Sequence, residues 1–322
     1  MLYRMALRRL IASVLALFLF VMSSAIQAAS TPAFWVATKG TSKVYLFGSM
    51  HFGRQDFYPL PDVVERAFTA SSTLVVEVNL LDLGADAQQV IFRHAGLPNN
   101  QSLADIISPE TYSALTAQAS RNQIPVTAFN RFQPWYVTLT LVEAEIRKTD
   151  LRQQLGLDLY FLKRAAAVRK PVEELETFDA QLALFSSIAF EDQERFLRQT
   201  LADLQSSRGY LKVAADAWVL GDLGMLDKSL IEPFRTQEET TQLFDKMFTQ
   251  RNVKMAKAIM DYFEEGESVF VVVGVGHMLG DDGVIRLLRS QGIDVRRLSV
   301  GHLTSDSSLE SPEPGSQETG LP

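Results

Sequence analysis

Val269-Phe-Val-Val-Val-Gly-Val-Gly-His-Met-Leu-Gly280 is the stretch on which the reading of this chain turns. Five consecutive apolar residues, four of them valine, are too few for an ordinary helix and rich in the β-branched types that suit a pleated strand. Both faces of such a strand are apolar, which predicts a central strand of a parallel sheet covered by helices on each side. The run breaks into Gly274-Val275-Gly276-His277 and, past Gly280, passes into an amphipathic segment from Asp282 to Gln291. Glycines at the strand end allow close backbone approach, so His277 is displayed just beyond the carboxyl edge of the sheet, where open α/β sheets bind ligands.

A second stretch has the same form. Val44-Tyr-Leu-Phe47 is a short apolar strand, followed by Gly48-Ser49-Met50-His51 and then Gly53. Both are strand, then Gly-x-x-His, then a further glycine, and we read them as two copies of one unit. The chain has four histidines, and two of them occupy the matching place in this unit.

Around these units the rest of the chain falls into order. Phe34-Trp-Val-Ala37 reads as an edge strand, turning through Lys39-Gly40-Thr41-Ser42 into the Val44 strand as a hairpin. Pro59-Leu60-Pro61-Asp62 opens a helix to Ala70, and Thr73 to Asn79 is another strand. From about 82 to 266 the pattern is mostly helical. Ser108-Pro109-Glu110 caps a helix to about Arg121, with further helices over 135–147, 158–168, 181–206, 210–220 and 236–264. Lys170-Pro171-Val172-Glu173-Glu174-Leu175 could add one strand, and Asp294 to Leu298 is the last. No linker rich in Pro, Gly and Ser interrupts this region. The expectation is an α/β fold: a central, mostly parallel sheet built from two related βαβ units at the chain's ends, with a large helical insertion within a single domain over 30–304.

Residues 1–29 read as a cleavable signal peptide. Arg4, Arg8 and Arg9 precede an apolar run from Leu10 to Met22 and a small-residue stretch to Ala29. That run is shorter than the roughly 20 residues a bilayer span needs. The expected location is therefore periplasmic or secreted, with membrane contact only through the leader if it stays attached. Losing three arginines and no acid takes the formal charge from −7 to −10, and no long basic stripe is present, so nucleic acid is not an expected partner. The absence of cysteine excludes disulfides, zinc-thiolate sites and a cysteine nucleophile. Residues 305–322, acidic and rich in Ser and Pro, read as a disordered tail.

Glu77 is the anomaly of its strand. A carboxylate between Val76 and Val78 is costly to bury unless a cation or hydrogen-bond donors meet it. The plain alternative is a rim carboxylate meeting water or an arginine. A divalent cation would account for His51, His277 and Glu77 together, since two neutral imidazoles and a carboxylate are competent ligands that leave positions open. Glu77 could instead be a general base beside a metal held by the histidines, and sequence does not separate these roles. A single Gly-x-x-His is a weak signal, because buried histidine is more often a hydrogen-bonded core group. The dinucleotide fingerprint is a poor match to 274–280, where Leu279 stands in place of a small residue. Gly48-Ser49-Met50-His51 also lacks a Gly-x-Ser-x-Gly elbow. Arg131, Arg251 and Asn252 are candidate substrate-orienting groups, with caps or ion pairs as the alternative. His94 and His302 read as solvent-facing.

The order Gly48-Ser49-Met50-His51, Glu77, Gly156-Leu-Asp158, Leu175-Glu-Thr177, Trp218 with Gly221-Asp222, Arg251-Asn252 and Gly274-Val-Gly-His277 resembles the TraB/GumN family from about Phe34 to Leu298. That group is related to the Tiki proteins, described as manganese- or cobalt-dependent proteases, and more distantly to erythromycin-esterase-like and ChaN-like proteins. The resemblance implies that His51, Glu77 and His277 fall on the family's two Gly-x-x-His motifs and its glutamate, and that Arg251-Asn252 falls on a further recurrent pair. It implies a divalent metal, manganese or cobalt, with zinc and iron still open. The function expected is an exported metal-dependent hydrolase acting on a peptide, an ester or another small substrate. The alternative is a non-catalytic periplasmic protein that binds a metal or a metal-bearing ligand.

Overall fold

The computed structural model describes residues 33–206, 210–236, 241–266 and 268–298. The expected signal peptide, the tail and His302 lie outside these residues. Six strands form one sheet: β1 (Phe34–Lys39), β2 (Ser42–Ser49), β3 (Thr73–Val76), β4 (Val172–Glu174), β5 (Ser268–Gly274) and β6 (Asp294–Arg297), in the spatial order β4-β3-β5-β2-β1-β6. The valine run is central: Val269 to Val273 are fully buried. β5 runs parallel to β2 on one side, from Lys43 opposite Ser268 to Ser49 opposite Gly274, and parallel to β3 on the other, ending with Val76 opposite Val272. This register puts the strand ends that lead to His51, Glu77 and His277 side by side on one edge.

β1 corrects the sequence reading. It forms the expected hairpin with β2 but lies inside the sheet, antiparallel to β2 and to β6. Phe34, Trp35, Val36 and Ala37 are all buried, whereas β6 alternates exposed and buried residues and takes the edge. A run apolar on both faces is the signature of an interior strand.

Pleat alternation divides the core. Phe34, Phe47 and Phe270 share one face, meeting Phe161 of the helix Leu157–Val168 (4.9 Å between the Phe161 and Phe270 ring centroids) and Phe68 of the helix Asp62–Ala70. Such edge-on and tilted contacts add to the burial of each large ring. On the other face Ser42, in phase with Val44 and Leu46, donates to the Phe263 carbonyl (3.2 Å) of the helix Gln250–Glu265.

Between β3 and β5 the chain is helical apart from β4, which returns to the sheet edge beside β3. The helices Pro109–Arg121, Pro134–Ile146 and Phe190–Ser206 build a core of their own from Leu115, Val137, Leu141, Leu197 and Leu201. Ser108 caps the first of them as read from sequence. The expected helix over 181–206 divides into Phe178–Ser186 and Phe190–Ser206. A π-helical turn, Asp245–Thr249, precedes Gln250–Glu265.

A two-histidine site at the carboxyl edge of the sheet

After β2 the chain turns at His51 and is fixed by backbone pairing: Leu157 N–H donates to Met50 O (3.0 Å), and Gly53 and Arg152 exchange two hydrogen bonds. Gly156 is required at the crossing, because a Cβ there would lie 2.2 Å from the His51 carbonyl oxygen. The first turn of Leu157–Val168 thereby brings the buried Asp158 under the imidazole. Asp158 Oδ2 is 3.0 Å from His51 Nδ1, and Ser49 Oγ donates to Asp158 Oδ1 (2.6 Å). The Asp158 charge, aided by the hydrogen bond between them, raises the His51 pKa to about 9. The ring itself is open, with 59% of its side chain exposed.

After β5, Val275–Met278 forms a single 3₁₀ turn that tucks His277 inward until 6% of its side chain is exposed. Gly276 permits the turn, since a Cβ there would lie 2.9 Å from Ile231 Cδ1 and 3.0 Å from Phe248 Cε1. His277 Nδ1 is 2.6 Å from Asn252 Oδ1, and Asn252 Nδ2 in turn donates to the Asp282 carbonyl (2.8 Å). With its amide fixed that way round, Asn252 accepts, so Nδ1 carries the proton and Nε2 keeps its lone pair. Burial lowers the His277 pKa to about 4, so the ring is neutral at pH 7.

Glu77 follows β3 and is buried beside His277, with Oε2 3.9 Å from His277 Nε2. Gly274 N–H donates to Oε1 (2.6 Å) and Arg251 Nη2 donates to Oε2 (2.6 Å), with Gln181 Nε2 at 3.4 Å. Burial pushes this carboxyl upward, but the positive charge of His277 and Arg251 and the Gly274 amide prevail and hold it down at about 2. His277 contributes only when protonated; at neutral pH Arg251, the charged His51 and the Gly274 amide carry the effect. Arg251 is shared: its Nε donates to both oxygens of Glu176 (2.9 and 3.0 Å), and Nη1 donates to Met247 O (3.1 Å) in the π turn. One guanidinium between two buried carboxylates leaves an excess negative charge on this wall.

His51, Glu77, Arg251 and His277 line one cavity of about 450 Å³. Asn252 acts one step back, through His277. Arg131 is elsewhere: its guanidinium holds the 97–101 loop through the Leu97, Asn99 and Gln101 carbonyls, so the expected substrate contact gives way to a loop-fixing role. His94 is packed, with 14% of its side chain exposed, between Ser186 and Asp179. Sequence reasoning missed Asp158 and Glu176 as partners. Both lie in stretches noted only as motifs, and Gly156 ahead of Asp158 was the available cue.

The donor chemistry suits a cation. Both imidazoles have Nδ1 engaged by an oxygen acceptor; the neutral His277 presents a bare Nε2, and His51 would present one when a bound ion displaces its second proton, the arrangement by which outer hydrogen-bond partners orient metal-binding histidine. A gap of 3.9 Å between His277 Nε2 and Glu77 Oε2 is within the roughly 4.2 Å that two donors about 2.1 Å from one ion can span. Among the described residues, no three His, Asp or Glu side chains stand in a metal-holding group.

The sequence pattern of the TraB/PrgY/gumN family matches residues 33–297. The chain belongs to that family. The uncharacterized protein YbaP of Escherichia coli is 26% identical over 258 residues, covering 80% of this chain and 92% of YbaP. Metalloprotease TIKI1 of Danio rerio is 26% identical over 328 residues, covering 86% of this chain and 65% of that protein. Metalloprotease TIKI1 of Homo sapiens is 24% identical over 308 residues, covering 80% and 60% respectively. No solved structure matches the chain significantly. No helix among the described residues is long and apolar enough to cross a membrane.

Proposed function

We propose that this TraB/PrgY/gumN protein is an exported, metal-dependent hydrolase of amide or ester bonds. One observation carries the reading: two histidines from matching strand ends, each with Nδ1 anchored by an oxygen, face the same cavity as a buried carboxylate on a wall with excess negative charge. Similarity to relatives named metalloproteases supports it. His277 through Nε2 and Glu77 as the anionic ligand would hold the ion, and the open His51 ring would have to swing toward them to add its Nε2, because the three do not stand as one group in the described structure. A carboxyl held near 2 is a poor general base at neutral pH and a good anionic donor. When bound, a divalent ion supplies Lewis-acid polarisation of a carbonyl oxygen. Arg251 keeps Glu77 ionised and in place, Asn252 fixes the His277 tautomer, Asp158 aims His51, and the apolar wall excludes water. Export is supported by the sequence pattern over 1–29, basic residues followed by an apolar run.

The test is metal analysis of the purified chain together with hydrolysis assays on peptide and ester libraries, with and without Mn²⁺. Stoichiometric metal, turnover, and loss of both in His277→Ala are the expected results. Metal bound without turnover establishes the non-catalytic binding reading instead. No metal uptake in the presence of Mn²⁺, Co²⁺ or Zn²⁺ ends both.

A further inference from the structure

The cleft does not stop at the cavity that holds Glu77 and His277. A second chamber of about 440 Å³ adjoins it, and His51, Phe52 and Gln181 line both, so His51 stands at the junction. The walls differ in chemistry. Beyond the polar heads, the first chamber is walled by apolar side chains that include Leu139, Ile146, Phe185, Ile231, Met247 and Phe248. The second is lined by Gln153, Gln154, Gln181 and Asp158, with Leu80 and Leu159. The Gln153 and Gln154 side chains belong to exposed residues, free to turn toward a ligand, and each amide offers both a donor and an acceptor.

Resting on the hydrolase reading above, we infer that the substrate is an extended peptide lying across His51, with a bulky apolar side chain (Leu, Met or Phe) in the Glu77/His277 chamber and its main chain on the other side held by the glutamines. An apolar chamber rejects a charged side chain through desolvation, and it gains from each methylene it encloses. Side-chain amides along the second chamber match the alternating donors and acceptors of a main chain, which an acyl chain lacks. In the reaction, water adds across the scissile amide: the C–N bond breaks, a C–O bond forms, and the leaving nitrogen takes up the proton that water gives up.

The experiment uses the full chain with Mn²⁺ and a capped pentapeptide library varied one position at a time, with cleavage sites read by mass spectrometry. A set of p-nitrophenyl acyl esters runs in parallel. Expected is cleavage beside Leu, Met or Phe at least about tenfold faster than beside Ala or Asp, which is the scale of methylene discrimination in apolar pockets. Leu139 is at the rim and 37% exposed, so Leu139→Glu should fold normally. It should bring the rate ratio of Leu to Ala peptides down to about one. Gln154→Ala should raise KM more for longer peptides than for dipeptide derivatives. Peptide cleavage without side-chain preference, or turnover of medium-chain esters with none of peptides, overturns this inference and leaves the hydrolase reading standing. If nothing is hydrolysed, that reading fails, and calorimetry still decides the subsite: a Leu peptide binding no tighter than its Ala counterpart overturns it.

Discussion

The two Gly-x-x-His units end on neighbouring parallel strands, with Ser49 directly opposite Gly274, yet they hold their histidines in opposite electrostatic states. His51 is open and anchored by a carboxylate that favours its charged form. His277 is enclosed and anchored by a neutral amide, so burial favours its neutral form. A repeated sequence unit thus fixes where an imidazole stands, and its distant partners fix which protonation state it keeps.

The sharpest break between the two halves should come from stability. On the His277 side, Arg251→Met strands Glu77 and Glu176 without their shared cation; removing one partner of such a buried pair costs about 3–5 kcal/mol. On the open side, His51→Ala removes an exposed ring from Asp158, which keeps its Ser49 donor, and should cost less, about 1–2 kcal/mol. Urea denaturation of both variants measures the contrast, and equal losses would contradict it. Added Mn²⁺ should restore part of the Arg251→Met loss, because a cation replaces the missing charge.

Next in size is metal binding. Asn252→Ala frees the His277 tautomer and Asp158→Asn weakens the hold on His51, and loss of such outer partners typically weakens metal by 10–100-fold. Calorimetric titration with Mn²⁺ should show both losses. NMR titration should show the His51 pKa falling from about 9 toward its ordinary value in Asp158→Asn alone. A His51 pKa unmoved by that change would dismiss the dyad.

The halves should also part company with pH. His277 is kept neutral, so as pH falls from 6.5 toward about 4 the unfolded chain takes up a proton that the fold resists, and stability drops. For His51 the sign reverses: its raised pKa stabilises the fold below 6.5, and that contribution fades as pH rises through about 9. His277→Gln should flatten the acid side of the wild-type stability curve, and His51→Gln the alkaline side. A single profile shared by wild type and both variants would refute the assignment.

The strand ends were legible because they are local: a valine run, two glycines and a histidine declare themselves within ten residues. The position of β1 was not, since β6, the neighbour that makes it interior, lies some 260 residues further along the chain. The same limit hid Asp158, 107 residues from His51, and led His94 to be read as solvent-facing although Asp179 and Ser186 enclose it. Glu77 was legible as an anomaly, a carboxylate in a valine strand, without its Arg251 and Gly274 partners being visible. Arg131 misled because a cation before a Pro-Trp pair looks the same whether it meets a ligand or three loop carbonyls.

The smallest effect isolates what distinguishes the two units. At the paired positions the first carries Ser49, whose hydroxyl donates to Asp158, and the second carries Gly274, whose amide donates to Glu77. A Cβ at Gly274 would stand 3.2 Å from Glu77 Oε1, so the strand position opposite Ser49 has no room for a side chain without moving the carboxylate. Ser49→Ala removes a single hydroxyl bond to a charged acceptor, with a cost of about 1–2 kcal/mol. With that donor gone, the Asp158 charge is less dispersed and binds the imidazole proton harder, so the His51 pKa should rise further while His277 does not move. Imidazole NMR titration of Ser49→Ala decides this. A falling His51 pKa would mean that Ser49, and not Asp158, organises the first unit.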